Sequence, residues 1–596
     1  MSAMITEQAI VSKTLTINTL FPYLGSIKPI IAANYKFPGP LIEAYENDTI
    51  IVRVINNLAQ PTTIHWHGMF QIGTPNMDGV VGVTQCAIPS FSEMTYTFMA
   101  QPAGTAFYHG HYLDQYADGL IGPLIIRRQV EPNGQLYDTE RILMVSDWYN
   151  EAAQTKLSSW YLSAKNPDGI EPIPDAIVVN GKFSQSLFAQ TKLSSWYLSA
   201  KNPDGIEPIP DAIVVNGKFS QSLFVTTSNA TSIRFRIINA AAFSMFTVSI
   251  DGLPLHIIEL DQTAVVPYTV SSFSISVAQR VSFYVNLNEF NDTFVPPDML
   301  PIKSVYIRFK ANEEMYPADI KHYIAPYATR YVPYSIFLNP LYLAILSFGS
   351  QHSLPTYSAD QTSSSLSSGA LPKQDDTNML SARPFSQVNN VVPNATHSLK
   401  LVISFCSDSL NITRGYFNNV TYSSNTININ NNSSLTQSTV LNTTTPILYQ
   451  MAMNPRTLNI PSPVRENNGS LPIIQSDGNG HYLVPYQAVV DIFLDNHDDG
   501  EHPFHLHGHD FWIIATSAYP QAEQLYRTAY IQRDVVSVPA SGWAKIRFLA
   551  NNPGAWLLHC HIEWHMDAGL ILAFIVGPDQ IAAQGYNVTA NQQRFC

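Results

Sequence analysis

The residues best suited to chemistry lie near the C-terminus, in the segment His559-Cys560-His561-Ile562-Glu563-Trp564-His565. It contains three histidines and one cysteine, and imidazole and thiolate are ligands that bind soft or borderline transition metals. On a strand, side chains alternate between faces, so His559 and His561 point one way and Cys560 points the other. The segment therefore predicts two metal sites on opposite sides of one strand, joined by the cysteine backbone.

Three further histidine clusters can supply the remaining ligands. They are His65-Trp66-His67, His109-Gly110-His111 and His502-Pro503-Phe504-His505-Leu506-His507. The His-x-His spacing places two imidazoles on one strand face, and His502 has the opposite parity to His505 and His507. We therefore expect eight histidines to converge between the first and last domains: His65, His67, His109, His111, His505, His507, His559 and His561.

A second site is predicted within the last domain, from His502, Cys560 and His565. Two histidines and one cysteine are the trigonal ligand set of a blue, type 1 copper site. The eight other imidazoles suit three more copper ions, one with two ligands and a pair with three each. Structural zinc is the alternative metal, but it prefers closed sites of four ligands and would not need so many imidazoles.

Strands must position these ligands, and the sequence favours strands throughout. Segments such as 14–18, 49–56 and 94–98 alternate apolar and polar residues between turn signals, which is typical of a β-sandwich or small barrel. We expect a first domain over 1–130, a second over 135–350, a Ser-rich linker over 351–390 and a third domain over 391–596.

The second domain contains a tandem duplication. Residues 153–188 recur letter for letter as residues 189–224. A sandwich has room for one copy, so the other is predicted to form an irregular loop. The second copy runs directly into the next strand and is slightly favoured as the integrated one.

Composition restricts the possible partners. The chain of 596 residues carries a net charge of −13, which argues against nucleic acid or an anionic membrane surface as partner. A small cation, or a neutral or cationic reductant, fits better. No stretch reaches the length of a transmembrane helix, and we expect a monomer without a membrane anchor.

Cysteine and asparagine usage points to secretion. A disulfide between Cys86 and Cys596 is plausible, although the sequence does not determine the pairing, and Cys406 is expected to be a buried, inert thiol. Asn-x-Ser/Thr sequons are abundant, so a secreted glycoprotein is expected. Residues 1–19 lack the apolar core of a signal peptide, which argues the other way.

The four histidine clusters, in this order along nearly the whole chain, resemble those of three-domain multicopper oxidases, the family of laccases, ascorbate oxidases and fungal ferroxidases. The resemblance implies an all-β enzyme of three cupredoxin-like Greek-key domains with four copper ions. It implies one type 2 copper on His65 and His505, one type 3 copper on His67, His109 and His559, and its pair on His111, His507 and His561.

The same resemblance implies roles for neighbouring residues. Leu570 falls at the axial position of the type 1 copper, where an aliphatic side chain raises the reduction potential relative to methionine. Electrons would enter at an exposed edge of His502 or His565 and pass through Cys560, and dioxygen would be reduced to water. Asp118 and Glu563 would supply protons. On local sequence alone, Asp118 is equally a turn residue before glycine.

The sequence identifies the reductant less closely than it identifies the copper ligands. Fungal iron-uptake ferroxidases carry acidic residues that Glu171, its duplicate Glu207, and Asp498 match in sequence context, and carboxylate oxygens suit iron. The alternative is that these are ordinary loop and hairpin acids. A secreted laccase acting on phenols and aromatic amines is the close rival, favoured by the lack of a C-terminal anchor. A copper-binding protein without turnover is the remaining hypothesis.

Overall fold

A computed structural model of the chain shows an all-β protein, as the sequence predicts, with three pairs of sheets that follow one another along the chain. It describes residues 8–20, 28–149, 151–167, 169–172, 174, 176–180, 182–183, 214–215, 218–219, 224–226, 229–291, 304–312, 315, 341–348, 373–374, 382–385, 392–422, 446–453, 460–465, 470–520, 530–583 and 596.

The strands of the first domain are β1 (Ile10–Leu20), β2 (Ile30–Ala33), β3 (Ile42–Tyr45), β4 (Thr49–Asn56), β5 (Ile64–His67), β6 (Glu93–Met99), β7 (Gly104–Gly110) and β8 (Ile121–Arg127). They form the sheets β2-β1-β4-β6 and β3-β8-β7-β5. β6 alternates buried and exposed residues because only one of its faces covers the core. β5 and β7 pair with His65 opposite His109, so the pairing register brings two predicted ligand clusters together.

The strands of the second domain are β9 (Thr139–Trp148), β10 (Ala176–Val179), β11 (Lys182–Phe183), β12 (Val214–Val215), β13 (Lys218–Phe219), β14 (Phe224–Thr226), β15 (Ser232–Asn239), β16 (Phe246–Ile250), β17 (Leu255–Leu260), β18 (Thr263–Val270), β19 (Ser272–Ile275), β20 (Arg280–Asn286), β21 (Ser304–Ala311), β22 (Leu341–Ser347) and β23 (Lys373–Gln374). The two large sheets have the orders β11-β10-β9-β15-β20-β17-β18 and β14-β22-β21-β16-β19-β23. A short helix, α1 (Ala153–Lys156), continues into the π-helical turn Leu157–Tyr161.

The strands of the third domain are β24 (His397–Ser407), β25 (Thr413–Phe417), β26 (His481–Val484), β27 (Val489–Asn496), β28 (His502–Leu506), β29 (Phe511–Thr516), β30 (Gln532–Arg533), β31 (Val535–Val538), β32 (Trp543–Leu549), β33 (Gly554–Cys560) and β34 (Ile571–Val576). Its sheets are β25-β24-β27-β32-β29-β30 and β26-β34-β33-β28-β31. The helices are α2 (Ile447–Met453), α3 (Glu563–Asp567) and α4 (Pro578–Ala583).

The duplicated segment joins the second domain through its first copy. β10 belongs to this copy and pairs antiparallel with β9, whereas β12 and β13 of the second copy pair with each other. The slight preference for the second copy is therefore wrong. Both copies carry the same residues, so residue type does not distinguish them, and β10 belongs to the copy that lies nearer to β9 along the chain. Most of the second copy lies outside the described residues, and its irregular loop stays a prediction.

The described part of the predicted linker 351–390 is attached to the second domain. β23 pairs in parallel with β19, and Pro384 forms a bridge with Val265. The linker composition therefore did not exclude a short edge strand.

Apolar clusters hold the domains together around the predicted ligands. One continuous core contains residues of both the second and third domains, including Cys560, Trp564 and Leu570. A separate cluster packs Val80, Val81 and Val83 of the first domain against α2 and β33. The histidine strands of the first and third domains therefore lie in a buried, shared interior.

Candidate metal centres

The predicted type 1 ligands come together in the third domain. β28 supplies His502, β33 ends with Cys560, and α3 supplies His565. The Cys560 Sγ lies 3.8 Å from His502 Nδ1 and 3.4 Å from His565 Nδ1, and the two Nδ1 atoms are 3.0 Å apart. All three side chains are buried. One sulfur and two imidazole nitrogens thus face a common point.

Only the first two residues of the segment 559–565 lie on a strand, whereas the sequence predicted His559, Cys560 and His561 to be strand residues. β33 ends at Cys560, and α3 begins at Glu563, which returns His565 towards the cysteine. Leu570 is buried, its carbonyl accepts from the Cys560 N–H at 3.1 Å, and its own N–H donates to the His565 carbonyl at 3.0 Å. The predicted axial residue is therefore anchored by backbone hydrogen bonds to two of the ligands.

Carboxylates cover the outer nitrogens of both type 1 histidines. His502 Nε2 donates to Asp498 Oδ2 at 3.0 Å, and His565 Nε2 donates to Glu171 Oε1 at 2.8 Å. The Asp498 and Glu171 side chains are 26% and 24% exposed, whereas the histidines are buried. The predicted exposed imidazole edge is therefore wrong, because the two acids lie between the histidines and solvent. Glu207, the duplicate, lies outside the described residues.

The charges of this site stabilise each other. Burial alone would lower the pKa of His565, but the Cys560 thiolate and Glu171 together raise that pKa to about 10. Burial likewise opposes thiolate formation, yet His565 and His502 lower the pKa of Cys560 to about 7. The site therefore favours the thiolate form that a metal ligand requires.

The eight other histidines converge at the interface of the first and third domains. All are buried, and they come from β5, β7, β28, β33 and the residues that follow these strands. The ring centroids of His67 and His505 are 3.8 Å apart, and those of His65 and His507 are 4.0 Å apart. His507 Nε2 lies 3.0 Å from His559 Nε2.

The geometry exchanges two ligands relative to the family-based expectation. His559 shares a potential metal position with His111 and His507. The His561 ring lies 5.1 Å from that of His67 and 5.3 Å from that of His109. Strand parity is the same for both histidines, so it cannot decide which ligand group each of them joins. In the structure, His559 pairs in register with His505, whereas His561 lies beyond the end of β33.

The free nitrogens fit a metal cluster. Among the described residues, the following buried ring atoms have no hydrogen-bond partner: His65 Nε2, His67 Nδ1, His109 Nε2, both nitrogens of His111, His505 Nε2 and both nitrogens of His561. Burial lowers the pKa of His559 to about 4 and lowers the pKa of His109 well below its ordinary value, so these rings are neutral, as metal ligands must be. Buried polar atoms normally have partners, and bound metal ions would satisfy these.

Asp78 is a site residue that the sequence did not reveal. Its carboxylate accepts from His507 Nδ1 at 2.8 Å and its carbonyl accepts from His65 Nδ1 at 2.7 Å, so one buried residue orients ligands from two domains. The next residue, Gly79, has φ +91°, and a side chain there would collide with the Ile64 carbonyl. The available signal was Met77-Asp78-Gly79, but its partner His507 is 429 residues away.

The two predicted proton donors have different surroundings. Asp118 forms an ion pair with the buried Lys28 at 2.6 Å and accepts from the Ala153 N–H at 3.0 Å. Glu563 is buried at the start of α3, and its Oε1 has no partner among the described residues. Burial, with the nearby Asp114 and Asp118, raises the pKa of Glu563 well above its ordinary value. Burial and the neighbouring carboxylates therefore favour the protonated form of Glu563.

Cysteine pairing follows the suggested connectivity. Cys86 and Cys596 form a disulfide, and Cys406 is exposed rather than buried as expected, because it lies at the open end of β24. Among the described residues, no helix combines the length and apolar character needed to span a bilayer.

Comparison with known proteins accounts for nearly the whole chain. Multicopper oxidase family models match residues 17–131, 139–196, 189–296 and 440–580, and the central model is matched twice across the duplication. The chain is 30% identical to the iron transport multicopper oxidase fio1 of Schizosaccharomyces pombe, over 94% of this chain and 74% of that protein. It is 29% identical to Laccase-1 of Cryptococcus neoformans, over 94% of this chain and 78% of that protein.

The fold agrees with this relationship. The crystal structure of Fet3p, a multicopper oxidase that functions in iron import, superposes with a TM-score of 0.71 and 23% identity, covering 98% of this chain and 94% of that one. The three domains thus have the cupredoxin-like fold. The chain belongs to the multicopper oxidase family, as a copper-dependent oxidoreductase of the laccase and ferroxidase kind that uses dioxygen as acceptor.

Proposed function

We propose that this multicopper oxidase is a ferroxidase, oxidising Fe(II) bound at the Glu171 and Asp498 carboxylates. One observation carries the proposal: each type 1 histidine donates its outer N–H to a partly exposed carboxylate. Hard oxygen ligands suit iron and favour its higher oxidation state. An iron ion held by either acid would lie one hydrogen bond away from a copper ligand.

Four copper ions are proposed, with the type 3 sets supported by the ring distances and the type 2 pair taken from the family resemblance. The type 1 ligands are His502, Cys560 and His565, with Leu570 at the axial position; the type 2 ligands are His65 and His505; the type 3 ligands are His67, His109 and His561 for one ion and His111, His507 and His559 for the other. Copper bound there supplies one-electron acceptance at the first site and reduction of dioxygen to water at the other three.

Cys560 provides the connection between the two ligand sets. Its peptide neighbours, His559 and His561, belong to the eight-histidine cluster, and His559 Nδ1 donates to the Cys560 carbonyl at 2.9 Å. The route from the sulfur to the cluster is therefore covalent along the chain, with a hydrogen-bonded branch.

Asp498 is prepared for a cation. Although burial opposes ionisation, hydrogen bonds from His502 and the Gly500 N–H hold the pKa of Asp498 below its ordinary value. The Gly500 N–H donates to Oδ2 at 3.0 Å, and the Asp498 carbonyl accepts from the Ser541 N–H at 2.7 Å. The carboxylate is thus ionised and held in position by its turn.

Glu563 is proposed as a proton donor for dioxygen reduction, because a buried, protonated carboxylic acid can deliver a proton where water is excluded. Asp118 remains a proposed second donor, although its ion pair with Lys28 is also what a structural residue would make. Asp78 is proposed to orient the ligands His65 and His507.

A second candidate function is the oxidation of phenols and aromatic amines. Trp160 is 42% exposed and Ile170, next to Glu171, is 37% exposed. The Trp160 indole N–H donates to the Ile170 carbonyl at 3.1 Å, which fixes an aromatic surface beside the acid. An aromatic reductant could stack there.

We further propose that the protein acts as a secreted monomer, since disulfides persist in oxidising compartments.

Substrate preference can be tested by removing the acids. Asp498→Ala, and the double variant Glu171→Ala with Glu207→Ala, should each lower kcat/KM for Fe(II) by about ten- to a hundredfold, the usual effect of losing such a partner. kcat/KM for a phenol should change much less. Asp499→Ala, an exposed neighbour in the same turn, is the matched control. Undiminished Fe(II) oxidation in all acid variants would contradict the iron site, and a copper-loaded protein without oxygen uptake would contradict turnover itself.

A further inference from the structure

The second domain supplies none of the proposed copper ligands, yet one of its side chains reaches the eight-histidine cluster. Arg280 begins β20 and is fully buried. Its Nε–H donates to the Thr105 carbonyl of the first domain at 2.8 Å. Its two terminal nitrogens donate to the two carboxylate oxygens of Asp534 in the third domain, each at 2.6 Å. One guanidinium therefore contacts all three domains.

Arg280 also lies against a proposed ligand. Its Nη1 is 3.1 Å from His67 Nε2. A guanidinium presents only N–H donors and stays charged, so His67 Nε2 accepts this bond and the proton of the neutral ring lies on Nδ1. Nδ1 has no partner among the described residues. The contact thus holds the His67 ring in place and sets its tautomer.

The partner of Arg280 holds a second ligand. The Asp534 backbone carbonyl accepts from His505 Nδ1 at 2.9 Å. The rings of His505 and His67 are stacked, 3.8 Å apart with an angle of 19° between their planes. Arg280 therefore acts on His67 directly and on His505 through Asp534, and these ligands come from different domains.

Neighbouring residues hold the guanidinium rigidly. Asp261 accepts from the Arg280 backbone N–H at 2.9 Å and from two nitrogens of Arg533 at 2.7 and 2.9 Å. Gln262 accepts from Arg280 at 3.1 Å and donates to the carbonyl of Gly68, the residue after His67, at 2.7 Å. A buried ionic network of this kind is weak evidence for stability, because desolvation offsets the attraction. Its geometry instead points to a role in placing the ligands.

We propose that Arg280 is a positioning residue for the oxygen-reducing copper cluster, fixing His67 and His505 relative to one another. The inference rests on the copper arrangement proposed above. It gives the second domain a function in dioxygen reduction, because this domain carries the residue that aligns ligands of the other two.

The test is Arg280→Met in the full-length copper-loaded protein. Loss of an outer-shell partner should weaken copper binding at the eight-histidine cluster by about ten- to a hundredfold, measured by chelator competition with metal analysis. The electron paramagnetic resonance signal of the non-blue copper should also change. The blue absorption of the type 1 site should persist, since all its ligands come from the third domain.

Arg308→Met is the matched control. Arg308 is a buried arginine of the same domain, and it donates to both oxygens of Asp251 at 2.6 and 2.8 Å. Its loss should lower thermal stability without selective loss of non-blue copper. Arg280→Lys, which keeps the charge but not the fork, should give an intermediate copper affinity.

If Arg280→Met does not fold, Asp534→Asn serves instead, because it keeps the carbonyl that holds His505 and removes the charge that holds Arg280. Wild-type copper affinity and an unchanged resonance signal in the folded variant would overturn the inference, as would an equal copper loss in Arg308→Met. A wild-type protein that binds no copper would overturn the proposed function instead, so the two failures are distinguishable.

Discussion

The two proposed metal centres are built in opposite ways. The proposed type 1 site would take three ligands from one domain, and both of its histidines have their outer nitrogens bonded to acids that reach solvent. The larger cluster would take eight ligands from two domains, and its imidazoles face one another in a buried space. One centre takes its ligands from a single domain, with Glu171 of the second domain as one of its two acids, and the other exists only when two domains are assembled.

This difference shows how one chain separates two tasks. A site that accepts electrons from outside needs a polar connection to solvent, which Asp498 and Glu171 supply. A site that reduces dioxygen needs an enclosed interior with neutral ligands, which burial supplies. Cys560 connects both arrangements, through its sulfur on one side and its peptide neighbours His559 and His561 on the other.

The largest expected effect comes from separating the two centres at that residue. Cys560→Ser keeps the side-chain volume nearly unchanged but removes the thiolate ligand. Oxidation of Fe(II) and of phenols should become undetectable, and the blue absorption should disappear, while copper at the histidine cluster remains. Steady-state oxygen uptake and metal analysis measure this. Oxygen uptake by the variant at the wild-type rate would show that electrons reach the histidine cluster by another path.

Acid should distinguish the two centres in the metal-free protein. Burial keeps the pKa of His559 at about 4, whereas an unfolded histidine takes up a proton near pH 6.5. Between these values the unfolded chain binds more protons, so stability falls as the pH drops from 6.5 to 4. His559 alone should contribute roughly 3 kcal/mol to this loss.

The type 1 site should not contribute in that range. The pKa of His565 is raised to about 10, so this residue is protonated in both states below pH 6.5, and its stabilising effect is lost as the pH rises from 6.5 to 10. Thermal unfolding of the metal-free protein from pH 4 to 7 measures the difference, with the copper-loaded protein as control. A flat profile would contradict the neutral state of the cluster histidines.

The smallest expected effect sharpens the comparison within the cluster. Asp78→Asn should weaken copper binding there by about tenfold or somewhat more, because the His507 N–H loses its charged acceptor. Asp118→Asn is the counterpart, since its ion pair with Lys28 should affect thermal stability more than copper content. Metal analysis after dialysis against a chelator measures both. If Asp118→Asn lost more copper than Asp78→Asn, Asp118 rather than Asp78 would be the residue that supports the histidine cluster.

The sequence predicted the elements that obey local rules. Strand parity alone separates Cys560 from His559 and His561. Each histidine cluster has a member on a strand because alternation is a local property, although His111, His507 and His561 lie one residue beyond their strand ends. Parity could not decide which of His559 and His561 joins which ligand set, since both have the same parity and only the pairing with β28 distinguishes them.

Contacts between segments that lie far apart along the chain could not be predicted from the sequence. Asp78 and Arg280 act through partners hundreds of residues away, and neither lies in a pattern that names its partner. The choice between the two repeat copies could not be made from the sequence, because their residues are identical.

The disulfide between Cys86 and Cys596 has a consequence for how copper is retained. It joins residues 510 positions apart, so the first and third domains belong to one covalent ring. If their interface opens, the disulfide is a second covalent connection besides the polypeptide itself, and it limits how far the two halves of the histidine cluster can separate. A shorter tether raises the effective concentration of one half at the other, so the interface closes again more readily. The ring thus favours retention of the metal ions that the two domains would share.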